Sequence, residues 1–159
     1  MIDTPYVTQE PAQMTALVHI VVPRKEIQTV MGPGLLELKA ALAGQGIKPV
    51  GPWFTHHLRI DPEVFDFEIC LPVTTEVVAK GRVRAGRMPD VKVARTIYRG
   101  GYEGLGKAWG EFGKWIEREG YKPGEGFWER YLAGPESSAD PADWETELNR
   151  PIDQTLDPC

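Results

Sequence analysis

The feature that most limits the fold of this chain is an internal duplication. Each half contains a glycine, an apolar residue and then Lys-Pro, as Gly46-Ile47-Lys48-Pro49 and as Gly120-Tyr121-Lys122-Pro123. These stretches lie 74 residues apart (120 − 46), and each follows a segment with helical spacing of apolar residues. The same offset superimposes the apolar helix positions: Leu35 on Trp109, Leu38 on Phe112 and Leu42 on Ile116.

A second correspondence lies near the end of each half. Residues 67–73 match residues 146–152 at an offset of 79 (147 − 68), with a glutamate and a proline at equivalent places. The five additional residues fall in the loop over 133–143, which is rich in Gly, Pro, Ser and Asp and where an insertion costs little. Two matches in the same order indicate a duplicated unit.

The order of elements predicts an α+β fold. Two tandem strand–helix–strand–strand repeats, at about 14–73 and 89–152, are expected to form an antiparallel sheet with two main helices and a pseudo-twofold axis. The whole chain, 1–159, is interpreted as a single domain with a ligand cavity where the copies meet. The predicted segments are strands at 14–22, 51–60, 66–73, 91–99, 127–132 and 144–152, and helices around 35–42 and 105–116.

Three further expectations concern the connections. Residues 1–11 are predicted to form a lead-in arm, and 74–89 a solvated hairpin or an edge strand protected by its charges. Pro33 is expected in the first turn of the first helix, where a missing backbone N–H is tolerated.

Composition limits the class of partner. The formal net charge is −5 and the pI is near 5.3, which argues against binding to nucleic acid. The longest apolar run, residues 16–22, contains His19 and is too short to span a bilayer, and no secretory signal precedes it. Two cysteines without framework spacing, Cys70 and Cys159, are expected to be free thiols, which favours the reducing cytoplasm.

Neither a metal nor a cofactor is expected. His56 and His57 are adjacent on a strand and point to opposite faces, so they form a poor chelating pair. The segment over 101–108 resembles a phosphate-binding loop but ends in Ala108, which has no hydroxyl for magnesium.

Glu68 and Glu147 are the candidate acidic residues, because each occupies the same place in an apolar, proline-ended strand. Glu147 shares a strand face with Asn149, while Thr146 and Leu148 take the other face. Two interpretations stay open for these glutamates. They are ordinary surface groups on a wet face, or they are carboxylates at the floor of an aromatic cavity that attract a cation or act as a general base.

Aromatic residues are concentrated in the second half. Phe112 is expected mainly in the core, whereas Tyr102, Trp109 and Tyr131 are better ligand candidates because each has a polar tip or a flat face. Trp53 is the candidate from the first half. Rings with one carboxylate suit a flat or cationic organic ligand.

Several of these residues occur in an ordered series. Tyr98-Arg99-Gly100-Gly101-Tyr102, then Glu129-Arg130-Tyr131, then Trp144-Glu145-Thr146-Glu147-Leu148 resemble the GyrI-like family, the effector-binding domain that is also fused to AraC-type and MerR-type regulators. The resemblance covers about 14–152. It departs from the family at Gly101, where a proline is frequent, and at Arg130, where an apolar residue is usual.

This resemblance implies two tandem units, agreeing with the duplication, and binding of drug-like, often cationic aromatic molecules. It also implies a strand glutamate near the C-terminus as an acidic anchor, a position that Glu147 matches. Some free-standing members are hydrolases that open the cyclopropane ring of DNA-alkylating compounds.

Two functions therefore stay open. The first is a binding or sequestering module for amphipathic aromatic or cationic molecules, and the second is a hydrolase in which Glu147 activates water. A third, inhibition of a larger enzyme, has no distinctive residue behind it, and no protein partner can be assigned.

Overall fold

The computed structural model describes residues 2–135 and 137–153, and it contains nine strands and two main helices. In chain order the elements are β1 (Tyr6–Glu10), β2 (Gln13–Pro23), α1 (Ile27–Gly44), β3 (Phe54–Ile60), β4 (Val64–Pro72), β5 (Val83–Met88), β6 (Val91–Arg99), α2 (Leu105–Arg118), β7 (Lys122–Pro123), β8 (Phe127–Ala133) and β9 (Glu145–Asp153). The order strand–helix–strand–strand occurs twice, as β2-α1-β3-β4 and as β6-α2-β8-β9. The α+β prediction is confirmed.

The chain divides into two compact units. The first-repeat unit is Pro11–Asp90, and the second-repeat unit consists, in its described part, of residues 2–10 and 91–153. In the first-repeat unit, β4 pairs with both β3 and β2, and β5 pairs with the other side of β2. In the second-repeat unit, β9 pairs with β8 and β6, and β1 pairs with the other side of β6. All these pairings are antiparallel.

Each unit packs one sheet face against its own helix. Leu38 and Leu42 of α1 join Phe67 and Ile69 of β4 in the first core. Phe112 and Ile116 of α2 join Leu148 of β9 in the second core. The two helix residues are four positions apart, which is the apolar spacing that predicted the helix. Because strand residues alternate, Glu68 and Glu147 both lie on the face that points away from the helix of their unit.

The structure corrects the expected lead-in arm. Residues 6–10 form β1, which pairs along β6 from Tyr6 opposite Arg95 to Glu10 opposite Val91. Pro5 and Pro11 bound this strand, so the local pattern resembles an arm. The exposed backbone of β6 supplies the hydrogen bonds that make it a strand. The segment over 74–89 does contain an edge strand, β5.

The position of Pro33 is the second correction. The first helix begins at Ile27, so Pro33 lies inside it rather than in its first turn. The early turns are held by tertiary packing, because Ile27, Val30 and Met31 all contact the first core. That packing outweighs the hydrogen bond that a proline removes from a helix interior.

Two smaller observations complete the fold. Cys70 is a free thiol with no exposed surface, and Cys159 lies outside the described residues. Neither helix of the described chain is long and apolar enough to cross a membrane.

Candidate functional site

The candidate site lies on the helix-facing side of β8 and β9. Leu148 of β9 belongs to the core beneath α2, and Glu129 of β8 is its cross-strand partner. Tyr131 is paired with Thr146 two residues along, so it shares the same face. The register therefore brings an acidic residue and a tyrosine to the apolar side of the sheet.

Glu129 is a buried carboxylate held by two neutral donors. Only 8% of its surface is exposed. Its Oε2 accepts a hydrogen bond from Trp109 Nε1 at 2.6 Å, and its Oε1 accepts one from the Tyr131 hydroxyl at 2.7 Å. Within residues 2–135 and 137–153, no Lys, Arg or His forms an ion pair with Glu129.

Burial raises the pKa of the Glu129 carboxyl above its ordinary value, and the hydrogen bonds from Tyr131 and Trp109 offset only part of that shift. Desolvation opposes the charged form, whereas donors to the carboxylate favour it. A cationic partner beside Glu129 would therefore stabilise the charged form of the carboxyl that burial opposes.

Aromatic rings extend from Glu129 in both directions. On one side Trp109 packs against Phe127, with ring centroids 4.5 Å apart. On the other side Tyr131 makes an edge contact with Tyr102 at 5.9 Å, and Tyr102 packs on Trp144 at 4.9 Å. We call this group the Glu129 cluster: Glu129, Tyr102, Trp109, Phe127, Tyr131 and Trp144. All its rings except that of Tyr131 belong to half-buried residues, so they can offer surface to a ligand.

A tight turn at the end of β6 positions Tyr102. The Tyr98 hydroxyl donates to the Gly101 carbonyl, which folds the chain back over the Tyr98 ring before α2 begins. Gly100 has φ near 137°, in the region that favours glycine. The backbone at Gly100 thus favours the turn that brings Tyr102 to Tyr131.

Glu147 lies on the opposite face, in a network of charges. It pairs with Arg130 and with Arg95, whose Nε is 3.4 Å away, and it accepts a hydrogen bond from Asn149 at 3.0 Å. Glu10 pairs with the same two arginines. Two carboxylates thus meet two guanidinium groups, so the charge of Glu147 is already compensated. Its role as a ligand anchor stays a prediction.

The other predicted site residues lie in different places. Phe112 is fully buried in the core of the second-repeat unit, 5.7 Å from Trp109 between ring centroids. Trp53 is half-buried against the core of the first-repeat unit. Glu68 lies in that same unit beside His56, whose Nδ1 is 3.4 Å from Glu68 Oε1. Of the seven predicted residues, the structure brings Tyr102, Trp109 and Tyr131 together around Glu129.

Glu129 is the residue that was missed as a candidate, although a signal for it exists in the sequence. The alternation along β9 predicts Thr146 and Leu148 on the face opposite Glu147, and the structure places Leu148 in the core beneath α2. Glu129 and Tyr131 are two residues apart and so share a face. What the sequence lacked was the register that sets Glu129 opposite Leu148.

Comparisons with known structures agree with this fold. The EcmrR C-terminal domain superimposes with a TM-score of 0.81 and 22% identity, over 94% of this chain and 97% of that one. EcmrR in its DNA complex gives the same TM-score and identity, and there this chain spans only 57% of the EcmrR chain.

Two further structures are similar at lower identity. SAV2435 bound to tetraphenylphosphonium has a TM-score of 0.65 and 10% identity, over 95% of this chain and 94% of its own. A hydrolase from Listeria innocua has a TM-score of 0.67 and 15% identity, over 94% and 91%. None of the curated protein sequences matches the chain significantly. The sequence model of the GyrI-like small molecule binding domain matches residues 5–153, and the chain therefore belongs to the GyrI-like family.

Proposed function

We propose that this protein binds an aromatic, cationic small molecule through the Glu129 cluster, with Glu129 as the acidic anchor. The observation that carries the proposal is the buried carboxylate whose described partners are the neutral donors Trp109 and Tyr131. This replaces Glu147 as the anchor, because Glu147 already has Arg95 and Arg130 beside it.

The electrostatics of Glu129 favour a cation over a neutral ligand. Two neutral hydrogen bonds stabilise the carboxylate without cancelling its charge, so a bound cation gains a desolvated electrostatic attraction. Ring faces at Trp109 and Tyr102 add cation–π contact, worth about 0.5–2 kcal/mol each. Flat rings also bury apolar surface against the cluster.

The relatives support this ligand class. SAV2435, which shares the fold, is bound to tetraphenylphosphonium, a lipophilic aromatic cation. The cavity expected where the two repeats meet stays a prediction and is not required by the argument from Glu129.

The experiment uses tetraphenylphosphonium as the probe and tryptophan fluorescence as the signal, because Trp109 and Trp144 belong to the cluster. Triphenylphosphine oxide serves as a neutral triaryl control. We expect saturable quenching by the cation, weaker binding of the neutral compound, and a loss of about tenfold or more in affinity in Glu129→Gln, equivalent to about 1.4 kcal/mol.

Glu147→Gln is the matched control, since it removes a strand carboxylate from the same unit on the opposite face. Its affinity should stay close to that of the wild type. If Glu147→Gln weakens binding as much as Glu129→Gln does, or if the neutral compound binds equally well, the assignment of Glu129 is wrong.

A hydrolase function is the second candidate, favoured by the raised pKa of Glu129. A carboxylate whose pKa is shifted toward neutrality is a better general base toward water. The Listeria innocua protein with this fold is a hydrolase. In the hydrolase mechanism, Glu129 would activate the water molecule, a role that the sequence analysis predicted for Glu147. Turnover of a cyclopropane-containing alkylating compound that disappears in Glu129→Gln while binding persists would favour the enzyme.

A further inference from the structure

Arg150 is a cation on the same sheet face as the Glu129 cluster, and the proposed function does not use it. It lies on β9 between Leu148 and Ile152, and it is directly opposite Ala94 of β6. These three neighbours all belong to the core beneath α2. Since alternate residues of a strand share a face, as do directly opposite residues, Arg150 also lies on the helix-facing side of the sheet.

The backbone of Gly124 holds the Arg150 side chain in position. Nε and Nη2 of Arg150 both donate to the Gly124 carbonyl, at 3.1 and 3.0 Å, and the Gly124 N–H donates to the Pro151 carbonyl at 2.8 Å. These bonds use only part of the donors of a guanidinium group. The end formed by Nη1 and the second N–H of Nη2 therefore keeps a pair of donors in the planar arrangement that binds a carboxylate.

Among the side chains that the structure describes, no carboxylate forms an ion pair with Arg150. The other half-buried arginines of the same unit, Arg95 and Arg130, both pair with Glu10 and Glu147. Arg150 is half-buried as well, and burial lowers the pKa of its guanidinium, which still carries its charge at neutral pH. An anion that reaches this partly desolvated cation would therefore stabilise it.

Arg150 lies at one end of the Glu129 cluster. Glu129 is opposite Leu148, so Arg150 is its diagonal neighbour, at about 7–8 Å between Cα atoms. Phe127 is two residues from Glu129 in the direction of Arg150, because β8 and β9 are antiparallel, and the Trp109 ring packs on Phe127. Along this face an acid, a pair of aromatic rings and a cation therefore follow one another.

We propose that Arg150 binds an anionic group of the ligand, so that the protein selects aromatic cations that also carry a carboxylate. This inference rests on the proposed function, because it requires the cationic centre of the ligand beside Glu129. The rings of such a zwitterion contact Trp109 and Phe127, and its carboxylate accepts hydrogen bonds from Arg150. The charge of Arg150 also disfavours ligands with a second cationic centre at this end of the cluster.

The experiment compares two triphenylphosphonium compounds that differ in one charge. Carboxybutyl triphenylphosphonium is a zwitterion at neutral pH, and its primary amide has nearly the same shape but only the positive charge. Quenching of tryptophan fluorescence measures the affinity of each. We expect the wild type to bind the zwitterion about fivefold or more tightly than the amide. In Arg150→Gln this preference should disappear or reverse, since Glu129 then repels the carboxylate.

The ratio of the two affinities is the readout, since a variant that only disturbs the turn at Gly124 changes both affinities alike. Arg150→Lys keeps the charge without the planar fork, so it should retain part of the preference. Arg118→Gln is the matched control, because it removes an exposed arginine of α2 in the same unit and should leave the preference unchanged. Circular dichroism verifies that each variant is folded.

The amide separates this inference from the proposed function, because it has no group for Arg150 to bind. If the amide binds in a Glu129-dependent way and the zwitterion binds no more tightly, Arg150 does not bind an anion. The same holds if Arg150→Gln and Arg118→Gln show equal preferences. If neither compound binds, or if Glu129→Gln leaves the affinity for the amide unchanged, the proposed function is wrong and the role of Arg150 falls with it.

Discussion

The two repeats have the same fold but bury different side chains at equivalent positions. β3 and β8 are equivalent strands, and each pairs with the last strand of its repeat in the same register, Thr55 opposite Ile69 and Glu129 opposite Leu148. The offset of 74 residues, found from the duplicated Gly-x-Lys-Pro stretches, relates the positions as follows: Thr55 to Glu129, His57 to Tyr131 and Leu35 to Trp109.

The first repeat has no acid at this place. Thr55 is fully buried, and the His57 ring stacks on Phe67 with centroids 5.2 Å apart. Burial lowers the pKa of His57 to about 4, helped by the positive potential of His56 and Arg24, so the imidazole is neutral at physiological pH. Of these two equivalent positions, only the one in the second repeat therefore has a buried carboxyl group.

The two repeats also differ on the sheet face that points away from the helix, where Glu68 and Glu147 lie. In the first repeat, Glu68 lies between two histidines, His19 and His56, whereas in the second repeat Glu147 is paired with arginines, which keep their charge. Duplication preserved the positions of the carboxylates and changed what their neighbours can do. Equivalent glutamates in the two repeats therefore have neighbours of different charge.

Thr55→Glu places a carboxylate in the first repeat at the position equivalent to Glu129, and it is expected to have the largest effect on stability. Thr55→Glu buries a carboxylate where the Trp109 and Tyr131 donors are replaced by Leu35 and His57. We expect the free energy of unfolding at neutral pH to fall by about 3–5 kcal/mol, the cost of an uncompensated buried charge. Urea denaturation measures this loss.

The control is Thr55→Val, which keeps the shape of the side chain and should cost much less than the charge does. The loss in Thr55→Glu should also shrink in acid, where the new carboxyl is protonated. A loss below about 1 kcal/mol, accompanied by titration of His57 near neutral pH, would show that His57 can serve as a counter-ion. The first repeat would then be able to hold an acid after all.

Because His57 is buried, the stability of the protein should depend on pH below neutrality. The folded pKa of His57, about 4, lies below the ordinary value of 6.5, so the unfolded chain takes up a proton first as the pH falls. Stability is complete above about pH 6.5 and is lost between there and pH 4, by up to about 3 kcal/mol. Urea denaturation at several pH values measures the slope.

His57→Phe keeps a ring against Phe67 and removes the titrating group, so its unfolding free energy should fall less steeply over the same range. The slope is compared rather than the absolute stability, because the substitution also changes packing. The matched variant His19→Gln removes an exposed histidine instead. If His57→Phe and the wild type lose stability in parallel, His57 is not the buried neutral histidine that the contrast between repeats requires.

Periodicity along the chain was sufficient to predict most of the fold. Leu38 and Leu42 in α1, and Phe112 and Ile116 in α2, recur at helical spacing because each helix buries one face against its own sheet. β1 was missed because its partner, β6, is distant in sequence, and a strand at a sheet edge is stabilised by that partner rather than by local pattern. The extension of α1 before Pro33 likewise depends on tertiary contacts.

Less of the site could be predicted, for a related reason. Tyr102, Trp109 and Tyr131 were predicted from residue type, and the structure brings them together around Glu129, while their contact with a ligand stays a prediction. Glu129 was not a candidate because the sequence alone does not show which residues of β8 lie on the sheet face that meets α2. A shift of one residue in register exchanges the two faces, and strand pairing is the property that a single sequence specifies least clearly.

The smallest expected effect on stability comes from removing a hydrogen-bond donor to Glu129. It tests whether that donor lowers the pKa of the Glu129 carboxyl. Tyr131→Phe removes the hydroxyl that donates to Glu129 Oε1. That hydrogen bond lowers the pKa of Glu129 against the effect of burial, so its loss should raise the pKa further. The free energy of unfolding at neutral pH should fall by about 1–2 kcal/mol.

The sharper readout is the pH dependence of tetraphenylphosphonium binding, followed by tryptophan fluorescence. Cation binding needs the ionised carboxyl, so affinity falls as the pH drops through the pKa of Glu129. In Tyr131→Phe the midpoint should move to higher pH. Tyr102→Phe, which removes a hydroxyl from a neighbouring ring, should leave the midpoint in place. An unchanged midpoint in Tyr131→Phe would mean that burial alone sets the acidity of Glu129, and that the tyrosine in place of His57 serves packing rather than charge.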